Sequence, residues 1–205
     1  MPAIEESAKE ATGKKKVIQK RTTLDKWKRK KWYKIVAPAE FNKAELGETI
    51  VEKPKNLMGR TIRANLGDLS SQKTKRHITV SFQIDNVEGQ QASTTIVGHE
   101  INPSFMIRLT RRRTSKMEVV QTIETSGDKK LRIKTVALSM RKLAAKQETV
   151  IRNQIREEVE KNCSKRNYEQ LMQELVFGSL AAKLFKHIKK IAPIKRLEIV
   201  KSQLE

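Results

Sequence analysis

The sequence predicts an α+β fold, in which an antiparallel β-sheet or barrel-like core is followed by a pair of C-terminal helices and preceded by a disordered basic N-terminal arm. Three observations carry that reading. From Trp32 to about Met140 the segments are short, β-branched and punctuated by Gly and Pro, and Ile78, Val80, Phe82 and Ile84 alternate with polar neighbours. After Lys142 the period changes, and Val150, Ile151, Ile155 and Val159 fit one helical face. Before residue 23 large apolar groups are few, and Gly13 is followed by Lys14, Lys15 and Lys16. Such a stretch buries too little surface to offset the entropy of ordering. Residues 1–22 are therefore expected to be the arm, 23–145 the β-rich core, and 146–205 a helical region of the same domain.

Each element has local support. WYKIVAP (32–38) leads in, and GETIVEKP (47–54) and GRTIRANLG (59–67) read as short strands. HITVSFQIDNV and ASTTIVGHEI flank Glu88-Gly89-Gln90, a hairpin about a Gly-containing turn. MEVVQTIET and KLRIKTVALS form a second hairpin across residues 126–128. Between them, Asn102 followed by Pro103 signals a helix start, a cap acceptor before proline at the first helical position. That short helix is expected to carry arginines at its C-terminal end. The first long helix runs to about Cys163. The second begins near Asn167, which with Gln170 resembles a capping box. Its apolar positions are Leu171, Leu175, Leu180, Leu184, Ile188 and Ile191, in one amphipathic helix ending before Pro193. RLEIVKSQ (196–203) offers a terminal strand.

Charge narrows the function. The 205 residues include 44 Lys and Arg against 23 Asp and Glu, a net +21 with a pI near 10.2. A compact particle of that charge repels itself, so a polyanionic partner is expected: nucleic acid or an anionic membrane surface. The excess is segregated. Residues 13–34 carry +10, 104–116 carry +5 and 183–196 carry +6, while the remainder balances at 22 cations and 22 anions. One cysteine, Cys163, rules out an intrachain disulfide and Cys-based zinc sites. The N-terminus has no apolar stretch of a secretory signal, and no apolar run approaches the roughly 20 residues of a membrane span. A soluble, intracellular protein is expected.

The richest constellation is Lys26-Trp27-Lys28-Arg29-Lys30-Lys31-Trp32-Tyr33-Lys34, which holds both tryptophans and one of the two tyrosines. Cations neutralise phosphates and flat rings stack on unpaired bases. The same rings equally suit apolar anchors that hold the arm to the domain. Lys14, Lys15, Lys16, Lys20 and Arg21 extend the basic run upstream. Arg111, Arg112 and Arg113 form a compact guanidinium cluster suited to bidentate phosphate contacts, or to a solvated helix end. Lys183, Lys186 and Lys190 share one side of the last helix, away from Leu184 and Ile188; that face suits RNA, a membrane surface or solvent alike. Catalytic signals are missing: no phosphate-binding Gly loop and no nucleophile elbow. His77, His99 and His187 have no ligand-like spacing, and Cys163 reads as a packed side chain. No cofactor, metal or small-molecule substrate is expected.

WYKIVAPAEFN (32–42), GRTIRANLGDLS (59–70), HITVSFQIDNVEGQ (77–90) and IRNQIREEV (151–159) closely resemble the small-subunit ribosomal protein family of archaea and eukaryotes called eS-one, also S-three-a or S-three-Ae. The likeness runs from about Lys26 to the C-terminal RLEIVK. The chain resembles the archaeal members, ending soon after RLEIVK without the longer eukaryotic extension. The resemblance implies a non-enzymatic, structural component of the small ribosomal subunit, placed on the platform near the mRNA exit, in the cytoplasm. It implies a β-barrel-like core with peripheral helices. Its implied partners are small-subunit rRNA and neighbouring ribosomal proteins, with mRNA or initiation factors as further candidates. Trp32, Tyr33 and the adjoining cations match the family's contact segment; the far N-terminal lysines match in character only. A free-standing RNA-binding or RNA-chaperone protein is the alternative from the residues alone.

Overall fold

A computed structural model describes residues 27–70, 73–126, 129–164 and 166–205. The expected arm, with Lys14, Lys15, Lys16, Lys20, Arg21 and also Lys26, lies outside the described residues. Among the described residues eight strands and five α-helices follow in the order β1 (Lys31–Val36), β2 (Glu45–Val51), β3 (Thr61–Asn65), α1 (Leu66–Leu69), β4 (Ile78–Glu88), β5 (Gln91–Ile101), α2 (Pro103–Leu109), β6 (Lys116–Glu124), β7 (Lys130–Ser139), α3 (Ala145–Cys163), α4 (Tyr168–Phe177), α5 (Ser179–Ile188) and β8 (Ile194–Leu204). The α+β class and both expected hairpins, β4–β5 and β6–β7, are present.

All strands join one sheet, organised about β5. Along one edge β5 pairs with β4, which pairs in turn with β3. Its other edge is shared: β1 occupies Gln91–Ser93 and β8 occupies Gly98–Glu100. Where β1 has left and β8 has not yet arrived, the Tyr168 hydroxyl of α4 donates to the Ile96 carbonyl at 2.8 Å. The β1–β5 pair is parallel, so the sheet is mixed rather than wholly antiparallel. A parallel pair joins strands that are distant in the chain, and local turn signals cannot announce it.

The terminal segment is an interior strand, lying between β5 and β7. Two register shifts against β7, at Lys134/Thr135 and Leu138/Ser139, change which face its side chains take. Ile194, Leu197, Ile199 and Ser202 are buried as a result, at spacings of three, two and three.

The helical region differs from the expected pair. Gly178 adopts a left-handed conformation (φ 78°), ends α4 and starts α5, because a residue without Cβ accepts that geometry freely. The C-terminal helices are therefore three. Asn167 does precede α4, but its side chain makes no capping hydrogen bond. On α3 the buried residues are Ile151, Ile155, Val159 and Cys163, whereas Val150 is exposed. Ile191 lies beyond the end of α5 and is exposed too. The main core fuses both halves of the chain, with Val80, Phe82, Met117, Ile133 and Ile199 from the sheet against Ile155, Leu171, Leu175 and Leu184 from the helices. A smaller core of Tyr33, Ile35, Val51, Leu57, Ile84 and Ala92 closes the β1–β2 end.

Candidate nucleic-acid interface

The first described cations sit on a turn leading into β1. The Lys30 amide donates to the Trp27 carbonyl at 3.1 Å, and Lys30 Nζ lies 4.5 Å above the Trp27 ring. Alternation along β1 then separates neighbouring rings. Tyr33 points inward and is 5% exposed, while Trp32 faces solvent at 59% and Trp27 at 62%. Of the two roles open to these rings, Tyr33 takes the anchor; Trp32 stays exposed, as does Trp27 on the side away from Lys30. Arg29 pairs with Glu52 at 3.8 Å and Lys34 with Glu45 at 3.3 Å, exposed contacts of small energetic weight. Lys28, Lys30 and Lys31 have no carboxylate partner among the described residues.

The arginine cluster is not on a helix. Asn102 caps α2 as expected, its side chain accepting from the Ser104 amide at 2.9 Å, but α2 ends at Leu109. Thr110 is extended (ψ 123°), and Arg113 is left-handed (φ 63°), so Arg111–Arg113 form the tight turn that aims the chain into β6. The Thr114 hydroxyl donates to the Arg111 carbonyl at 2.6 Å and closes that turn. All three arginines are exposed.

Buried hydroxyls tie this turn to two distant segments. The Ser115 amide donates to Ser139 Oγ at 2.8 Å, the Ser139 amide to the Ser115 carbonyl at 3.0 Å, and the Leu143 amide to Ser115 Oγ at 3.0 Å. The Met140 amide reaches the Pro193 carbonyl at 2.9 Å. In register, Lys116 and Arg196 flank Leu138 from opposite sides. Residues 104–116, 139–143 and 183–196, three stretches with thirteen cations and no carboxylate, thus meet at one end of the sheet. Two sequence-predicted clusters merge here, and Arg141 and Lys142 join them. Arg141 and Lys142 have no local sequence signal beyond two adjacent cations; only the β6–β7 hairpin and β8 bring them in.

Ion pairs hold the fringe of this surface. Glu118 accepts from Lys116 at 2.6 Å and Lys134 at 2.8 Å, which together keep its carboxyl below the usual range. Lys183 leans to Glu174 (3.5 Å) and Arg196 to Glu198 (2.7 Å). Arg111, Arg112, Arg113, Arg141, Lys142, Lys186, Lys189, Lys190 and Lys195 have no ion-pair partner among the described residues. A cleft of about 510 Å³ lies beside it, between α2 and the outer sheet face, lined by Met106, Ile107, Val136, Val200 and Glu118 among others.

The two cationic ends are far apart. Lys34 pairs with Gln91 at the start of β5, and Ile101 at its finish leads straight into Asn102 and α2. Eleven residues of strand separate them by about 30 Å.

Titratable groups elsewhere are buried for structural ends. Burial pushes the Cys163 thiol up to about 12 and the Tyr168 phenol up to about 12. His77 is lowered, chiefly by burial, where its ring stacks on Phe105 at 3.9 Å. Among the described residues no three His, Cys, Asp or Glu side chains are grouped to hold a metal ion. No helix among them is long and apolar enough to cross a membrane.

Comparison with known proteins agrees with the sequence resemblance. A family model described as "Ribosomal S3Ae family" matches residues 18–205. The chain is 35% identical over 182 residues to the "Small ribosomal subunit protein eS1" of Methanoculleus marisnigri, covering 89% of this chain and 92% of that one. It is 38% identical over 184 residues to the protein of the same name from Archaeoglobus fulgidus, covering 88% and 86%. For the Methanothermobacter thermautotrophicus protein, again of that name, identity is 32% over 186 residues, covering 91% and 95%. Nearly the whole chain, including the β1 segment and the interior β8, is spanned by the match, and it belongs to the ribosomal S3Ae family.

Proposed function

We propose that this protein is a structural, non-enzymatic constituent of the small ribosomal subunit that holds rRNA through its basic segments. The observation that carries the reading is segregation of charge: the whole formal excess of +21 falls in residues 13–34, 104–116 and 183–196. A generally basic surface would not leave a neutral remainder. Family membership supplies the identity of the polyanion, which charge alone leaves open. The contacts run through the arm from Lys14 to Lys34, with Trp27 and Trp32 offering stacking faces, and through the cationic end around Arg111–Arg113 and Lys183–Lys190. Tyr33 belongs to the domain's interior and supports the strand that carries its neighbours. By resemblance the site of assembly is the platform near the mRNA exit, in the cytoplasm, beside other small-subunit proteins.

Sedimentation of cell lysate tests the reading. Stoichiometric co-migration with small subunits is expected; exclusive migration as free protein would leave the free-standing RNA-binding alternative in its place. Removing residues 1–31 should weaken binding to an rRNA fragment while circular dichroism shows a folded domain. With about six to ten phosphates neutralised, affinity should fall by roughly 10³ to 10⁵ between 50 and 200 mM salt. A flat salt response would remove the electrostatic basis.

A further inference from the structure

The two cationic ends differ in kind. At the β1 end two indoles stand exposed among the cations, Trp32 and Trp27, the latter with Lys30 Nζ over one face. At the opposite end the three merged segments contain no tryptophan or tyrosine, and their two phenylalanines are both partly buried. Phe105 is stacked on His77 with the Arg196 guanidinium 5.3 Å above it, and Phe185 lies half-buried with Lys189 Nζ 5.9 Å over its ring. His187 is the one exposed ring of that end, which therefore presents charge with little stacking surface. Stacking rings take up unpaired bases, whereas double-helical RNA, whose bases are already stacked, is gripped by its phosphates and sugar hydroxyls. The cations of the second end are also preset, since the Arg111–Arg113 turn, Arg141 and Lys195 spring from backbone fixed by Ser115, Ser139 and the β7–β8 ladder.

We infer that the surface around Arg112, Arg113, Arg141, Lys142 and Lys190 is a binding site for the backbone of an RNA double helix. It acts independently of the aromatic end, so that one molecule joins a single-stranded RNA segment to a duplex about 30 Å away. The inference rests on the proposed rRNA-binding role and assigns its two ends to different forms of RNA.

The test uses the full chain with two probes: a blunt RNA duplex of about 16 base pairs and an oligouridylate of about 10 nucleotides. Fluorescence anisotropy is read for the wild type, for the triple variant Arg112→Gln/Arg113→Gln/Arg141→Gln, and for Trp27→Ala/Trp32→Ala. The triple variant should lose about tenfold or more in duplex affinity, with a salt slope smaller by about two to three, and keep its oligouridylate affinity. The tryptophan variant should do the reverse. A biotinylated oligouridylate on beads should retain labelled duplex through the wild type and not through the triple variant. The substituted side chains are exposed, and Arg112→Lys/Arg113→Lys/Arg141→Lys, with the charge kept, should restore duplex retention. Equal losses for both probes in the triple variant, or duplex retention unchanged by it, would overturn the inference. Failure of the wild type to bind either probe would instead count against the rRNA-binding reading itself.

Discussion

His99 of β5 and Ser202 of β8 stand 103 positions apart in sequence and are joined by two hydrogen bonds in the core. The Ile199 carbonyl, 2.9 Å from His99 Nε2, is only an acceptor, so Nε2 carries the proton. Nδ1 then accepts from the Ser202 hydroxyl at 2.6 Å, while Ser202 Oγ accepts from the His99 amide at 3.1 Å. A neutral imidazole thus pins the terminal strand to the centre of the sheet.

Acid should release that pin. Burial lowers His99 from 6.5 to about 4, against an opposing contribution from the Ile199 carbonyl. Between those values the unfolded chain takes a proton that the folded chain refuses. Stability is fully present above pH 6.5 and falls as pH drops toward 4, by about 3 kcal/mol in all. Urea unfolding of the wild type and of His99→Gln should show the gap between them shrinking by that amount from pH 7 to 4. Parallel curves would place the acid lability elsewhere.

Gly98 faces the β8 backbone at close range. A Cβ there would lie 2.3 Å from the Ser202 carbonyl oxygen, a backbone atom that cannot swing aside. Gly98→Ala should cost about 2 kcal/mol or more and lower Tm by about 5 °C. A calorimetric scan showing an unchanged Tm would mean that the two strands separate without penalty.

Tyr168 supplies the hydrogen bond that the sheet lacks between β1 and β8. Tyr168→Phe leaves the Ile96 carbonyl without this donor and should destabilise by about 1 kcal/mol in urea unfolding. Burial also predicts that the phenol ionises only near pH 12 in a spectrophotometric titration. An ordinary titration near 10 would show that the ring is solvated.

Cys163 closes α3 with no exposed surface, and burial raises its thiol pKa to about 12. The thiolate is the reactive form, so alkylation by iodoacetamide at pH 8 should be negligible in the native protein and complete in denaturant. Rapid native labelling would show that the end of α3 opens.

Local features of the sequence announced much of this. Alternation at Ile78–Ile84, the turn at Gly89 and the Asn102-Pro103 start each specify an element through contacts a few residues long. Gly178 was a readable stop signal, hidden because Leu180, Leu184 and Ile188 continue an apolar stripe across it. The face of β8 was harder to read, because two register shifts break its alternation and the partner that causes them is β7. On the binding surface, adjacent cations drew attention to Arg111–Arg113, and helical spacing to Lys183, Lys186 and Lys190. Nothing local distinguished the inward Tyr33 from the outward Trp32, since strand direction sets the alternation but only the sheet decides which face is covered.

By itself the sequence determined the α+β class, the cationic segments and their neutral remainder, because propensity, periodicity and formal charge are properties of neighbours in the chain. Tertiary structure decided what those segments become. It placed β8 inside the sheet through His99, Gly98 and β7, merged two clusters with Arg141 and Lys142 into one surface, and set the tryptophan end a strand's length away. Those outcomes depend on pairings across about 20 to 100 residues, such as Ser115 with Ser139 and His99 with Ser202, and pairings of that range are decided by packing rather than by local pattern.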